Sequence, residues 1–291
     1  MKLDHIITLA KQDLTNKLND LANHFNADVI SYTGHFFNGI EKTFLNIIES
    51  LVADGDKKDK IYIILTSTGG SANAVERCVN ILRYHYEEVH FIVPDYAYSA
   101  GTIFCMSGDS IFMDYYSVLG PIDPQIQNRE GKFVPALGYL DKINEMLEKS
   151  KTGDLTQPEF LILKDFDLAE LRSYEQAREL SVALLKKWLV KFKFKNWDKH
   201  TTTNIGSPVT DEDKERRAEE IANDLSNNNK WKSHGRPINI ETLEKDIRLK
   251  INDYSLDPVL SNLIRSYNEL LNSFLEFTNN QGIFIHTKNH F

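Results

Sequence analysis

Residues 61–125 read IYIILTSTGGSANAVERCVNILRYHYEEVHFIVPDYAYSAGTIFCMSGDSIFMDYYSVLGPIDPQ. Ile61–Thr66 is a near-continuous apolar run of the kind found in parallel strands covered on both faces. Ser67-Thr68-Gly69-Gly70 breaks the run, and Ser71–Tyr86 carries apolar residues at helical spacing. Val89–Val93 is a second short apolar strand, ended by Pro94. Residues 97–107 are small and apolar enough for a buried helix, and 110–113 read as a further strand. Gly120-Pro121-Ile122-Asp123-Pro124-Gln125 reads as a rigid, turn-rich loop. Strands and helices alternating at this spacing imply right-handed βαβ units and an α/β fold.

Upstream, residues 3–25 have the spacing of an amphipathic helix, and DVISY at 28–32 reads as a strand. A helix over 40–53 and a charged turn at 55–60 follow. Downstream the texture changes to charged helical segments at 139–151, 168–194, 241–251 and 258–277. A further helix opens at Thr210 with a T-x-x-D pattern resembling a capping box. A polar loop at 227–230 leads to His234-Gly235-Arg236-Pro237. The expected organisation is an N-terminal helix (1–26), an α/β core with the functional serine (27–138), and a mainly helical part packed on that core (139–291).

Hydrophobic residues make up 41% of the 291 and charged residues 26%, which is ordinary for a soluble globular chain. A net charge of −8 argues against general nucleic-acid binding, which needs a basic surface. The basic-aromatic run KKWLVKFKFK at 186–195 therefore reads as a solvated helix end. Apolar runs are too short for a membrane span, and the N-terminus lacks a signal-peptide pattern, so a cytoplasmic protein is expected. Cys78 and Cys105 fall in predicted helices and read as buried thiols. No H-E-x-x-H, paired C-x-x-C or P-loop is present, and no metal or cofactor is expected.

The chemistry points to Ser99, in YSAGT, where a strand gives way to a helix. A serine hydroxyl becomes a nucleophile when a base takes its proton, and a tetrahedral intermediate needs N–H donors. Gly69-Gly70 offers one donor, because backbone without a Cβ approaches a substrate closely, and Ala100 offers the other. The same residues are compatible with a plain strand-to-helix turn and a serine N-cap.

TSTGGS, then YSAGT, then GPIDPQ, in this order and spacing, resembles the Clp-type serine peptidases of the crotonase-like fold. Within that clan the chain is most similar to the serine dehydrogenase proteinase family, with the SppA-type signal peptide peptidases more distant. The likeness covers roughly residues 28–127 and beyond 130 rests on HGRPI at 234–238. It implies a Clp/crotonase-like α/β fold of repeated β-β-α and βαβ units with a helical C-terminal half. It also implies Ser99 as nucleophile, Gly70 and Ala100 as oxyanion donors, and a peptide or unfolded protein as substrate. The family's triad order of Ser, Asp, His fits Asp123 and His234; the histidine that Clp proteolytic subunits carry soon after the serine is absent. A Ser–Lys dyad of the SppA kind is the alternative, with Lys142 as the base if burial depresses its pKa. Relatives form closed rings, so a homo-oligomer is expected, and any ATPase or regulator would be a separate chain. The rival from another class is a catalytically inactive scaffold on the same fold, with Ser99 present and no base assembled.

Overall fold

A computed structural model describes residues 3–53, 55–123, 125–127, 133–201 and 205–291. Helix α1 (Leu3–Phe25) leads into β1 (Asp28–Thr33), α2 (Ile40–Ala53), β2 (Lys60–Thr66), α3 (Ala72–His85) and β3 (Glu88–Ile92). Next come β4 (Tyr96–Ala97), α4 (Ala100–Met106), β5 (Ser110–Met113), β6 (Val118–Leu119), and the antiparallel pair β7 (Gln125–Gln127) and β8 (Phe133–Pro135). The second half holds α5 (Ala136–Thr152), α6 (Gln157–Asp165), α7 (Leu168–Trp188), α8 (Asp211–Leu225), α9 (Asn228–Trp231), β9 (Ile238–Asn239) and α10 (Ile240–Lys245). It closes with β10 (Asn252–Asp253), α11 (Pro258–Phe277) and β11 (Phe284–His286).

The main sheet has the order β10-β5-β3-β2-β1-β11, parallel except for β11, which runs antiparallel to β1. Side chains alternate across a strand, and β2 shows the consequence. Ile61, Ile63 and Leu65 enter one core with Phe44 of α2, Val75 of α3 and Phe104 of α4. Tyr62 and Ile64 enter a second core on the other face, with Leu14 and Leu18 of α1 and Ile264 and Leu271 of α11. Both faces are covered, which is why the strand is apolar from Ile61 through Leu65. The first core extends into the second half through Leu185 and Trp188 of α7 and Ile221 of α8.

A smaller sheet, β4-β6-β9, lies beside the first, with β6 parallel to β4 and antiparallel to β9. The part after 139 thus supplies both edge strands of the main sheet and the third strand of the small one. Local signals hold where they are strong. Ser71 caps α3 by accepting from the Ala74 N–H, Thr210 and Asp213 form the capping box of α8, and Cys78 and Cys105 are buried free thiols. Pro258 opens α11 behind an Asp257 cap that accepts from Val259 and Leu260.

Several expectations change. The polar loop read at 227–230 is largely the short helix α9, capped by Asn227, whose side chain accepts from the Lys230 N–H. The helix read over 97–107 begins at Ala100, because Tyr96 and Ala97 pair with Val118 and Leu119. The helix read over 168–194 is α-helical to Trp188 and closes in a π-helical turn, Leu189–Lys193. The helix read over 241–251 ends at Lys245; Arg248 takes a left-handed φ of 51°, and Asn252-Asp253 then pairs with the edge of β5. The loop read at 120–125 is irregular through Asp123, and Gln125 begins β7; Pro124 lies outside the described residues. Among the described residues no helix is long and apolar enough to cross a membrane, and no group of three His, Cys, Asp or Glu is placed to hold a metal.

His286 on β11 is fully buried, with the Tyr267 hydroxyl 2.9 Å from Nδ1 and the Thr15 hydroxyl 3.3 Å from Nε2. Burial pushes its pKa down to about 4, from an ordinary value of 6.5. The folded chain therefore holds the ring neutral while the unfolded chain protonates it below 6.5. Its contribution to stability is full above that pH and drains away as pH falls toward 4, by up to about 1.4 kcal/mol per unit. Urea unfolding from pH 7 to pH 4.5 is expected to show this decline in the wild type and a shallower one in His286→Gln. Equal slopes would contradict the assignment.

Candidate active site

The turn after β2 is held between two neighbours. On one side Phe36 donates to the Gly69 carbonyl (2.7 Å) and accepts from the Ser71 N–H (2.8 Å). On the other, Ser67 donates to the Tyr96 carbonyl (3.0 Å) and accepts from Tyr98 (2.9 Å). The space between admits no side chain. A Cβ on Gly69 would lie 2.7 Å from the Tyr98 carbonyl oxygen and 2.9 Å from the Ser99 Cβ, and one on Gly70 would lie 2.0 Å from the Phe36 carbonyl oxygen. Both glycines also have φ values, 101° and 130°, that L side chains rarely adopt.

Ser99 stands at the N-cap position of α4 with φ 51° and ψ −115°. A non-glycine residue in such a conformation costs roughly 1–3 kcal/mol and persists where its surroundings over-determine it. Here they do. Thr102 donates its hydroxyl to the carbonyls of Ala97 (2.8 Å) and Gly120 (2.9 Å) and accepts from the Gly120 N–H (3.1 Å), and every residue of α4 is buried. A conventional N-cap serine would turn its oxygen onto the helix N–H groups. Ser99 does not: its side chain makes no cap bond and no other hydrogen bond among the described residues, although the residue is 8% exposed. The reading of Ser99 as an ordinary N-cap is thus met in position and not in bonding.

The Ser99 side chain opens onto a cavity of about 340 Å³ that Gly70 and Ala100 also line. Among the described hydrogen bonds none engages the N–H of Gly70 or that of Ala100. Ile103 and Ile122 give the cavity an apolar wall, and α7 closes another side with Ala177, Leu180 and Ser181. These α7 residues were not singled out from the sequence; the signal was a small residue at every fourth position, Ala169, Ser173, Ala177 and Ser181, along the helix.

Asp123 and His234 approach from the small sheet. In its register Ala97 lies beside Leu119, and Leu119 beside Ile238. Since β9 runs antiparallel, the chain just after β4, just after β6 and just before β9 all emerge at one end of this sheet. That end carries Ser99, Asp123 and His234 in segments far apart in sequence, with Asp123 and His234 outside the lining of the cavity. Asp123 is 2% exposed, in a loop pinned where Ile122 donates to the Leu225 carbonyl (3.0 Å) at the end of α8. His234 is half-buried; its Nδ1 is buried and has no hydrogen-bond partner among the described residues, and burial holds its pKa below the ordinary 6.5. The ring is therefore neutral, and able to accept a proton, at neutral pH.

Lys142 is placed otherwise. It stands on α5 with its side chain 57% exposed and its amine 2.9 Å from Glu145. The burial that a lysine base requires is absent at this position.

Fold and site together define a class: an α/β protein whose serine, at a strained strand-to-helix junction, faces a cavity beside two backbone N–H groups that no hydrogen bond among the described residues engages. Residues 46–210, more than half of the chain, match the ClpP-like SDH-type serine proteinases, and the chain belongs to that family. Two uncharacterized proteins of Methanocaldococcus jannaschii are similar to it. One is 36% identical over 109 residues (37% of this chain and 35% of that protein), the other 32% identical over 116 (40% and 36%). The match thus spans about a third of the length of each curated relative. Among solved structures, two of a membrane-bound stomatin-specific protease are similar. A serine-to-alanine mutant has a TM-score of 0.45 at 13% identity, covering 79% of this chain and 81% of that one. A lysine-to-alanine mutant in complex with a substrate peptide has a TM-score of 0.46 at 14% identity, covering 79% and 76%.

The glycine turn makes a direct test of this geometry. Gly70→Ala combines a backbone collision with an unfavourable φ and is expected to destabilise by about 1–3 kcal/mol or more. Gly138→Ala, on α5 with nothing within 4 Å of the added Cβ, is expected to be neutral or stabilising. Denaturant midpoints of the two variants measure the contrast.

Proposed function

We propose that this chain is a serine peptidase that cleaves peptide bonds through an acyl-enzyme on Ser99. The observation that carries the reading is the Ser99 side chain, held at a strained junction, free of the cap bond its position invites, and opening onto a cavity that Gly70 and Ala100 also line. Membership of a family of serine proteinases supports it.

In this mechanism Ser99 Oγ attacks the carbonyl carbon of the scissile amide while His234 takes the hydroxyl proton. Asp123, buried at the same end of the small sheet, stabilises the imidazolium that forms, and orients the ring once its carboxylate meets the Nδ1–H, which has no partner among the described residues. The N–H groups of Gly70 and Ala100 receive the oxyanion, where removing a single donor typically costs about 10²–10³ in kcat. Collapse of the intermediate breaks the C–N bond, and the departing amine takes the proton from His234. Water then attacks the ester by the same route, His234 accepting its proton and returning one to Ser99 Oγ, which releases the acid. Peptides or unfolded segments of protein are the substrates in this reading, and copies of the chain assemble to shelter the site.

Labelling with a fluorophosphonate, read by intact mass, tests the nucleophile. The wild type is expected to gain one adduct and Ser99→Ala none; no Ser99-dependent adduct would sink the proposal. His234→Ala is expected to slow labelling by about 10²-fold or more, with Lys142→Ala close to wild type. A site silenced by Lys142→Ala and indifferent to His234→Ala would replace the triad with a Ser–Lys dyad.

The pH profile is a further check. Burial lowers the His234 pKa, so the base stays neutral and active down to a pH below 6.5, and the rate falls as pH drops through the depressed value. An acid limb above 6.5 would speak against His234 as the base.

A further inference from the structure

The cavity beside Ser99 owes its existence to α7. Along the inward seam of that helix, Tyr174 is buried against Leu140 of α5, and Leu184, Leu185 and Trp188 are buried in the main core. Between these anchors the seam positions are Ala177 and Ser181, one turn apart, and at them the helix and the core are separated by about 340 Å³ of open space. Large residues on both sides hold α7 in place and stop it from collapsing into the gap. The Ser181 hydroxyl donates to the Ala177 carbonyl within the helix (2.9 Å), so it presents a small and already satisfied surface.

The lining has a definite chemical character. Ile103, Ile122, Leu180 and Ala177 are apolar, Ser71, Ser99 and Ser181 add uncharged hydroxyls, and Asn73 and Gln176 are exposed. Among the described residues no Asp, Glu, Lys, Arg or His contributes to the lining. A charged side chain entering this space would lose its water and meet no counter-charge. Ser99 lines the same space, more than nine-tenths buried and without a side-chain hydrogen bond among the described residues, so an occupant of the cavity sits directly against it.

We propose that this cavity receives the substrate side chain on the acyl side of the scissile bond, and that Ala177 and Ser181 of α7 set its depth, selecting uncharged aliphatic and aromatic side chains. The inference rests on the peptidase reading and adds to it a substrate class and two specificity-determining positions.

Peptidyl diphenyl phosphonates test it, because Ser Oγ bonds to phosphorus, phenol departs with the serine proton, and the side chain beside phosphorus is chosen by synthesis. Rate constants for labelling Ser99 are compared for probes bearing alanine, leucine, phenylalanine, aspartate or lysine side chains. The wild type is expected to react fastest with the leucine and phenylalanine probes and about 10²-fold more slowly with the charged ones. Ala177→Phe is expected to lose about 10²-fold toward the two large apolar probes while staying within about threefold toward the alanine probe. Ala177→Val, a smaller intrusion that spares the fold if the phenylalanine does not, is expected to shift the same ratio by about tenfold. Ser181→Leu, an intrusion one turn further along α7, is expected to shift the ratio of large apolar to alanine probes in the same direction by about tenfold. Selectivity that ignores the changes at 177, or a charged probe that reacts as fast as the leucine one, overturns this inference alone. Absence of labelling by every probe, a simple fluorophosphonate included, overturns the peptidase reading and this inference with it.

Discussion

The site depends on how closely two stretches of backbone approach each other. Where the turn after β2 passes the start of α4, a Cβ at Gly69 would sit 2.7 Å from the Tyr98 carbonyl oxygen. Glycine is the residue that fits, and its freedom at positive φ is what lets the chain reverse there. The approach sets Gly70, Ser99 and Ala100 around one cavity. The helix start is kept in its strained shape by Thr102, whose hydroxyl ties the Ala97 and Gly120 carbonyls together. A strained serine at the edge of a fully buried helix is held in one place, which suits the nucleophile proposed for it better than a flexible loop would.

The remaining architecture supports that junction from both directions. The parallel strands are covered on two faces, so the edge from which the turn leaves is fixed by two cores rather than one. The second half of the chain is woven into this frame: β9 completes the small sheet, and β10 and β11 form the edges of the large one. Its helix α7 spans the gap beside Ser99 on large anchors and leaves small residues over the cavity. The helical half therefore builds the site and does not merely cover it.

Legibility followed the strength of the local signal. Ile61–Thr66 was readable as a doubly covered strand because its pattern reports burial on both faces directly. The long amphipathic helices were readable for the same reason. The two-residue strands β4, β6, β9 and β10 were not, since a pairing of that length has no period of its own and exists through its partner strand. The helix over 241–251 was read too long because its apolar spacing continues past Lys245, while Arg248 turns left-handed and the chain departs to pair with β5. The short helix α6 and the β7–β8 pair likewise arise with little periodic warning.

The sequence by itself determined the chemistry that is local: the glycine turn, the serine at a helix start, the capping box at Thr210 and the net negative charge. These depend on residue type and near-neighbour geometry, which the order of residues encodes directly. Tertiary structure decided what lies near what. It brought the segments bearing Asp123 and His234 to the same end of the small sheet as Ser99, set Lys142 outward against Glu145, and gave the cavity its α7 wall. Such proximities come from strand pairing and from large side chains anchoring helices across a shared core. They depend on the shape of the whole packed chain and carry no signature in any single stretch of it.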